Sequence, residues 1–301
     1  MARRKVSLIG PSTLMVSLPS KWVKEFGIKK GDEVDINVNG SSLLVETSKL
    51  KKNEVKKLDI SNLSSNLIRY FIYSSYRNGN GEIELSFDDE HVIDCNTKKK
   101  ELVLDVISSV VENLVGVEIM VQRERYVLIR EISTVNRDEF ANTLGRIFVT
   151  LVNSSNDIRS AMKNNNKELL DRIKKSSDKK INKLCDFCFR IINKGGIVEN
   201  SKVPFYYSII SVLEELGDAL EDICKIAIEG RVSDEEISKV NKTFEILYKL
   251  FCSYKKETLN DFYKQKNEIR DFKTHGDMGI AFSKIASCCS SIIPEMISLN
   301  L

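Results

Sequence analysis

The chain has 301 residues, 42% of them hydrophobic and 30% charged, with a net charge of +3. That length suggests two or three domains, and the balance excludes a disordered or fibrous chain. No apolar run approaches the roughly 18–20 residues of a membrane helix, and seven cysteines without framework spacing fit a reducing compartment rather than a disulfide scaffold.

At the N-terminus, Arg3, Arg4 and Lys5 precede an apolar stretch, which Pro11, Ser12, Thr13, Ser17 and Pro19 interrupt. No signal-peptide core can form there, and a cytoplasmic protein without membrane insertion is expected. The charge is uneven. Residues 1–52 hold ten Lys or Arg against five acids, whereas the remainder holds 36 against 38. A basic head on a near-neutral body suggests a polyanionic partner for the head, although an ordinary solvated surface has the same composition.

Residues 5–48 read as a small β-rich unit. "KVSLI" and "TLMVSL" are short strands around the turn "GPS", and "PSKWVKEFG" is a short helix opened by Pro19 and Ser20 and closed by Gly27. "IKKGDEVDINV" adds a turn and an alternating strand, and Asn39-Gly40 turns into the last strand. Some 45 residues bury little core alone, so a second copy is expected. The stretch "SLPSKWVKEFGIKKGDEVDI" resembles the AbrB/SpoVT/MazE-like swapped-hairpin domains, with Leu18-Pro19, Gly27-Ile28 and Gly31-Asp32 in register with their pattern. The resemblance implies a homodimer whose chains interleave into a small β-barrel with a DNA-binding basic face. Val23 stands where many relatives carry an arginine, so DNA contact falls to Arg3, Arg4, Lys5, Lys21 and Lys24. Lys21 and Lys24 share a helix face, and contacts of this kind go mainly to phosphates. The competing reading is a head that only dimerises. Trp22 is read as a core or interface residue.

Residues 54–132 alternate strand and helix in the order βαβαββ, an α/β sandwich with helices expected over 63–79 and 98–116. Tyr70, Tyr73 and Tyr76 fall at helical spacing and are read as packing. No Gly-rich phosphate loop, nucleophile elbow or metal cluster is evident, and the segment is expected to orient its neighbours.

From Asn136 onward the periodicity is helical, with Asn136 and Glu139 as an N-terminal cap. Helices are expected over 137–163, 166–194 and 204–229, then from a Ser233–Glu236 capping box to about 258, on to about 273, and over 279–298. Six such helices suit two three-helix bundles in tandem. "SVLEELGDALEDICKIA" and "DKKINKLCDFCFRIIN" resemble segments of the PhoU family of phosphate-uptake regulators. That resemblance implies paired three-helix bundles, a phosphate-linked role and, in some members, a metal held by acidic motifs. The whole is expected to be a multi-domain α+β chain: a head over 1–52, an α/β segment over 53–133 and a PhoU-like body over 134–301.

The acidic row Glu214, Asp218 and Asp222 runs along one helix face, and Asp178 is its expected partner on the preceding helix. These carboxylates suit a divalent or ferric ion, or equally a solvated strip beside the seam of Leu213, Leu216, Leu220 and Ile223. Asn182, Ser283 and Ser287 occupy slots where the family pattern has acids, which weakens any site. Cys185 and Cys188 form a CxxC inside a helix and are read as packing residues. No catalytic constellation emerges, so an enzyme is the least favoured class. The favoured reading is a dimeric DNA-binding regulator of phosphate uptake. Its alternative is an adaptor docking on a phosphate transporter ATPase or a sensor kinase. A toxin-neutralising partner rests on the head alone.

Overall fold

The computed structural model describes residues 3–39, 42–47, 55–133, 137–274 and 276–301. The expected Asn39-Gly40 turn and the Asn136 cap lie wholly or partly outside them.

The head consists of two separate hairpins joined by a short helix. β1 (Val6–Ile9) pairs antiparallel with β2 (Thr13–Val16), α1 covers Ser20–Glu25, and β3 (Asp35–Asn39) pairs antiparallel with β4 (Ser42–Glu46). Gly27 ends α1 in the left-handed region at φ +60°. Its N–H donates to the Lys24 carbonyl at 3.3 Å, and the Ile28 N–H donates to that of Val23 at 2.9 Å. This pair of bonds satisfies carbonyls that a helix end leaves open. The registers Val6↔Val16 and Leu8↔Leu14 set four apolar side chains on one face of the first hairpin. Ile36, Val38 and Leu43 do the same on the second. Leu14 is 69% and Val38 77% exposed. Each hairpin thus has an open apolar face, the first with Ile9 and Met15 exposed on its other side as well, and among the described residues no barrel closes within one chain.

The second region is a four-stranded sheet in the order β5-β6-β10-β9, from β5 (Val55–Asp59), β6 (Glu82–Ser86), β9 (Val117–Arg123) and β10 (Tyr126–Glu131). β5 and β6 are parallel; the other pairings are antiparallel. α2 (Ser65–Arg77) makes the crossover, capped by the Ser64 hydroxyl. The expected second helix is shorter. Lys100–Leu102 (β8) pairs with His91–Ile93 (β7), and α3 covers only Val103–Val111. The Asp94 carboxylate drives this outcome by accepting from the Asn96 and Thr97 N–H groups at 2.8 Å, an Asx turn that folds the lysine run back as a strand. Of the tyrosine stripe, Tyr76 is buried with its hydroxyl donating to the Val115 carbonyl at 2.8 Å, while Tyr70 is 67% exposed.

The helical body comprises α4 (Arg137–Lys163), α5 (Lys167–Lys194), α6 (Val203–Ile228), α7 (Asp234–Cys252), α8 (Lys256–Arg270) and α9 (Gly276–Ser298). The Ser233–Glu236 capping box forms, with the Ser233 N–H donating to Glu236 at 2.8 Å and the Glu236 N–H to the Ser233 hydroxyl at 3.2 Å. The expected helix to about 258 stops at Cys252, because Ser253 and Lys255 are extended, and α8 correspondingly ends at Arg270. Pro294 lies within α9 without ending it. α4, α5 and α6 pack on one another. α7 leans on α4 and α9 on α6, and α8 bridges α7 and α9. By length and composition α9 could cross a membrane; here it buries Ile285, Cys289 and Ile292 against the other helices.

One hydrophobic cluster runs from Ile60 in the α/β layer to Met296 in α9, so layer and helices share a core. Their seam is α2 against α5. Arg190 of α5, fully buried, donates to the Tyr76 carbonyl at 2.8 Å, lies 3.3 Å from Glu131 of β10 and stacks over the Tyr76 ring at 4.7 Å. Removing this side chain leaves Glu131 with Lys194 alone and the Tyr76 carbonyl with the Gly79 N–H alone, and it empties a fully buried site, so Arg190→Ala is expected to cost about 2–5 kcal/mol. Urea unfolding measures it. A loss below about 1 kcal/mol would mean that water replaces the guanidinium.

Candidate functional site

Two groups of charged side chains stand out, one on the head and one in the helical body. On the head, Arg3, Arg4 and Lys5 lead into β1, and Lys21 and Lys24 lie three apart on α1; all five are exposed. Trp22 and Phe26 turn the other way on the same helix, half-buried with ring centroids 5.7 Å apart. α1 therefore has a basic outer face and an aromatic inner one. The turn after it is tied by Asp32, whose carboxylate accepts from the Lys29 N–H at 2.5 Å while its own N–H donates to the Lys29 carbonyl at 3.1 Å. The Gly31-Asp32 pair thus sets the direction in which β3 leaves the helix. Such a surface gathers several exposed positive charges, of the kind that meet phosphates.

The acidic row is dispersed among cations rather than gathered into a cage. Glu214 accepts from Arg77 at 3.3 Å, Asp218 from Lys284 at 3.4 Å and Asp222 from Lys225 at 3.0 Å. Asp178 accepts from the Asn182 amide at 3.0 and 3.1 Å. Burial, reinforced by the like charges of Asp218 and Glu221, pushes its carboxyl up to about 6. Ser283 and Ser287 are exposed on α9. Among the described residues, no three His, Cys, Asp or Glu side chains converge as metal ligands would. The donors that the sequence suggests thus share a seam but not a centre. Asp218 and Asp222 stay half exposed with surface ion pairs, whereas Glu214 and Asp178 are more enclosed.

Cys185 and Cys188 are fully buried, and burial raises both thiols well above the ordinary value. A thiol held neutral in an apolar seam is neither a ready nucleophile nor a ready metal ligand. His91 is partly exposed on β7, 3.8 Å from Glu90.

Sequence reasoning missed a third constellation, at the seam between layer and helices. Arg77, the last residue of α2, donates to Asp186 of α5 and to Glu214 of α6, with its guanidinium 5.1 Å from the Phe189 ring centre. Asn193 donates to the Arg77 carbonyl at 2.7 Å, and Lys194 pairs with Glu131 beside Arg190. A signal for it exists in "LCDFCFRII": Asp186 and Arg190, one turn apart, are charged residues inside an otherwise apolar helical run, and charges in such places are paired.

Comparison with known proteins bears on the head alone. Residues 8–53 match the family model described as antidote-toxin recognition MazE, bacterial antitoxin. No curated protein matches the chain, and no solved structure does. The head is therefore similar to a MazE/AbrB-like domain, which is consistent with a DNA-binding regulator whose larger part is an α/β layer and six packed helices.

Proposed function

We propose that this chain is a homodimeric DNA-binding transcription regulator, with two heads interleaved into one basic module and the helical body carrying a phosphate-linked signal. The observation that carries the reading is the pair of open apolar hairpin faces next to five exposed cations. Two-stranded hairpins are marginal in water without a third layer, and covering a Val or Leu side chain contributes about 1.5–3 kcal/mol. A second copy supplies that cover with matching faces, since a two-fold interface is self-complementary. Dimerisation also doubles the cations of one surface, which is what a duplex of about one charge per 1.7 Å rewards. The match over residues 8–53 supports the same module. The phosphate link and the PhoU-like body rest on the resemblance of α5 and α6 segments to that family.

The family model's own description, an antitoxin, supports a second reading in which the head is part of a toxin-neutralising protein. The large body sharing one core gives the head more to report on than a toxin tail needs.

Two variants of the full chain separate assembly from DNA binding. Leu14→Glu with Val38→Glu places charges on the open faces and is expected to yield a monomer by sedimentation that no longer binds duplex. Lys21→Glu with Lys24→Glu is expected to stay dimeric but to bind weakly, with a salt slope shallower by about 0.9 for each phosphate that is no longer neutralised. Fluorescence anisotropy with random duplex across a salt series reads both. Undiminished binding by the charge-reversed dimer removes α1 from the interface.

A further inference from the structure

Arg77 stands at a junction. It ends α2, the helix that follows β5, and it reaches two helices of the body at once: Asp186 on α5 and Glu214 on α6. Its two acidic partners differ in surroundings. The Asp186 side chain is 5% exposed and that of Glu214 31%. The first carboxylate is sealed in the seam, and the second opens towards water at the head of the acidic row.

We propose that Arg77 is a latch between the α/β layer and the helical body that opens on mild acidification: ionised Asp186 holds the guanidinium on α5, and the neutral acid leaves it to Glu214 alone. The groups around Asp186 allow this. The charges that act on it are Arg77 from α2 and Glu214 from α6. Tyr73 and Tyr76 of α2 and Cys185 of α5 lie near it, and burial raises all three, so they remain neutral throughout the range concerned. Arg190, one turn along α5, is committed to Glu131 and the Tyr76 carbonyl. It stays as a fixed pin when the latch opens.

Burial outweighs Arg77 and sets the Asp186 carboxyl at about 6, above its ordinary 3.8. The folded chain therefore takes up this proton as pH falls through about 6, whereas the unfolded chain waits until about 4. Between those values the native state binds the extra proton, and this group's contribution to stability falls as pH rises through the window. The neutral acid is thus compatible with the fold, and acidification loosens the local clasp without unfolding the chain. Asp178, also raised to about 6, titrates in the same range, so a global melting curve does not isolate the latch.

Hydrogen exchange on the full chain, without DNA, isolates it. Protection of α2 is compared with that of α3, which lies outside the clasp, at about pH 7.5 and about pH 5.5 after correction for intrinsic exchange. The wild type is expected to lose α2 protection several-fold at the lower pH. Asp186→Asn is expected to show that loss at both values, and Glu214→Gln to keep the pH response and deepen the acid-side loss. Equal α2 protection at the two values in the wild type overturns the proposal, as does an Asp186→Asn protein that stays fully protected near pH 7.5. Should that variant not fold, Arg77→Lys keeps the charge and loses the fork; an unaltered α2 response in it overturns the latch. The effect of the latch on DNA rests on the function proposed above. Duplex anisotropy on the same proteins reads that part separately: an α2 response with no DNA binding at either pH sinks the function and leaves the latch standing.

Discussion

The buried guanidinium of Arg190 is the constraint around which the two larger parts of the chain are arranged. A charge with no access to water is tolerated only where it is paired, and of the Arg190 nitrogens Nη1 has a hydrogen-bond acceptor while Nη2 has the Glu131 ion pair alone. Here the partners are distant in sequence: the Tyr76 carbonyl at the end of α2 and Glu131 at the end of β10. Sliding α2 along α5 by one residue would separate the carbonyl from its donor, and shifting the sheet would strand Glu131. The apolar cluster around the seam gains area in many arrangements, but the arginine accepts one. The core therefore supplies the affinity of layer for helices and Arg190 their register, a division of labour known for single polar groups in apolar interfaces.

The head follows the opposite rule. Its strands carry Val, Leu and Ile on faces that no described part of the chain covers, so a single described head is short of a core of its own. A chain with a self-sufficient body and a dependent head can respond at the weaker part. In the dimer proposed above, a force from the body that alters the spacing of the two heads would act on a module with little core of its own. The body's single shared core resists the same force.

What the sequence makes legible is local, and what it hides is long-range. The head's helix, its glycine stop and the Asp32 turn are readable because each is specified within about five residues, and so is the Ser233 capping box. The break at Ser253 and the strand at Lys100–Leu102 are harder. Both lie in stretches whose lysines, glutamates and leucines suit helices, and only the Asp94 turn and tertiary packing overrule that preference. The acidic row is legible as a row, yet its meaning depends on Arg77, 137 residues before Glu214, and on Lys284, 66 residues after Asp218. Spacing along one helix cannot report such partners. The charged pair inside "LCDFCFRII" is the exception, since burial can be inferred from its neighbours and a need for partners follows from burial.

Rigidity decides where a change at the seam can go. α5 and α6 meet at Gly217, where a Cβ would lie 3.1 Å from Ile181. So close an approach leaves the two helices little freedom to part, and they act as one plate bearing both Asp186 and Glu214. Arg77 sits on the other side of the seam, on a helix of only thirteen residues. A transfer of its guanidinium from one acid to the other therefore moves α2 and not the plate. α2 is joined through residues 60–64 to β5, which among the described residues pairs only with β6 and so lies at the edge of its sheet. In the latch proposed above, opening would thus reach β5 through α2, while Arg190 keeps its hold on the Tyr76 carbonyl.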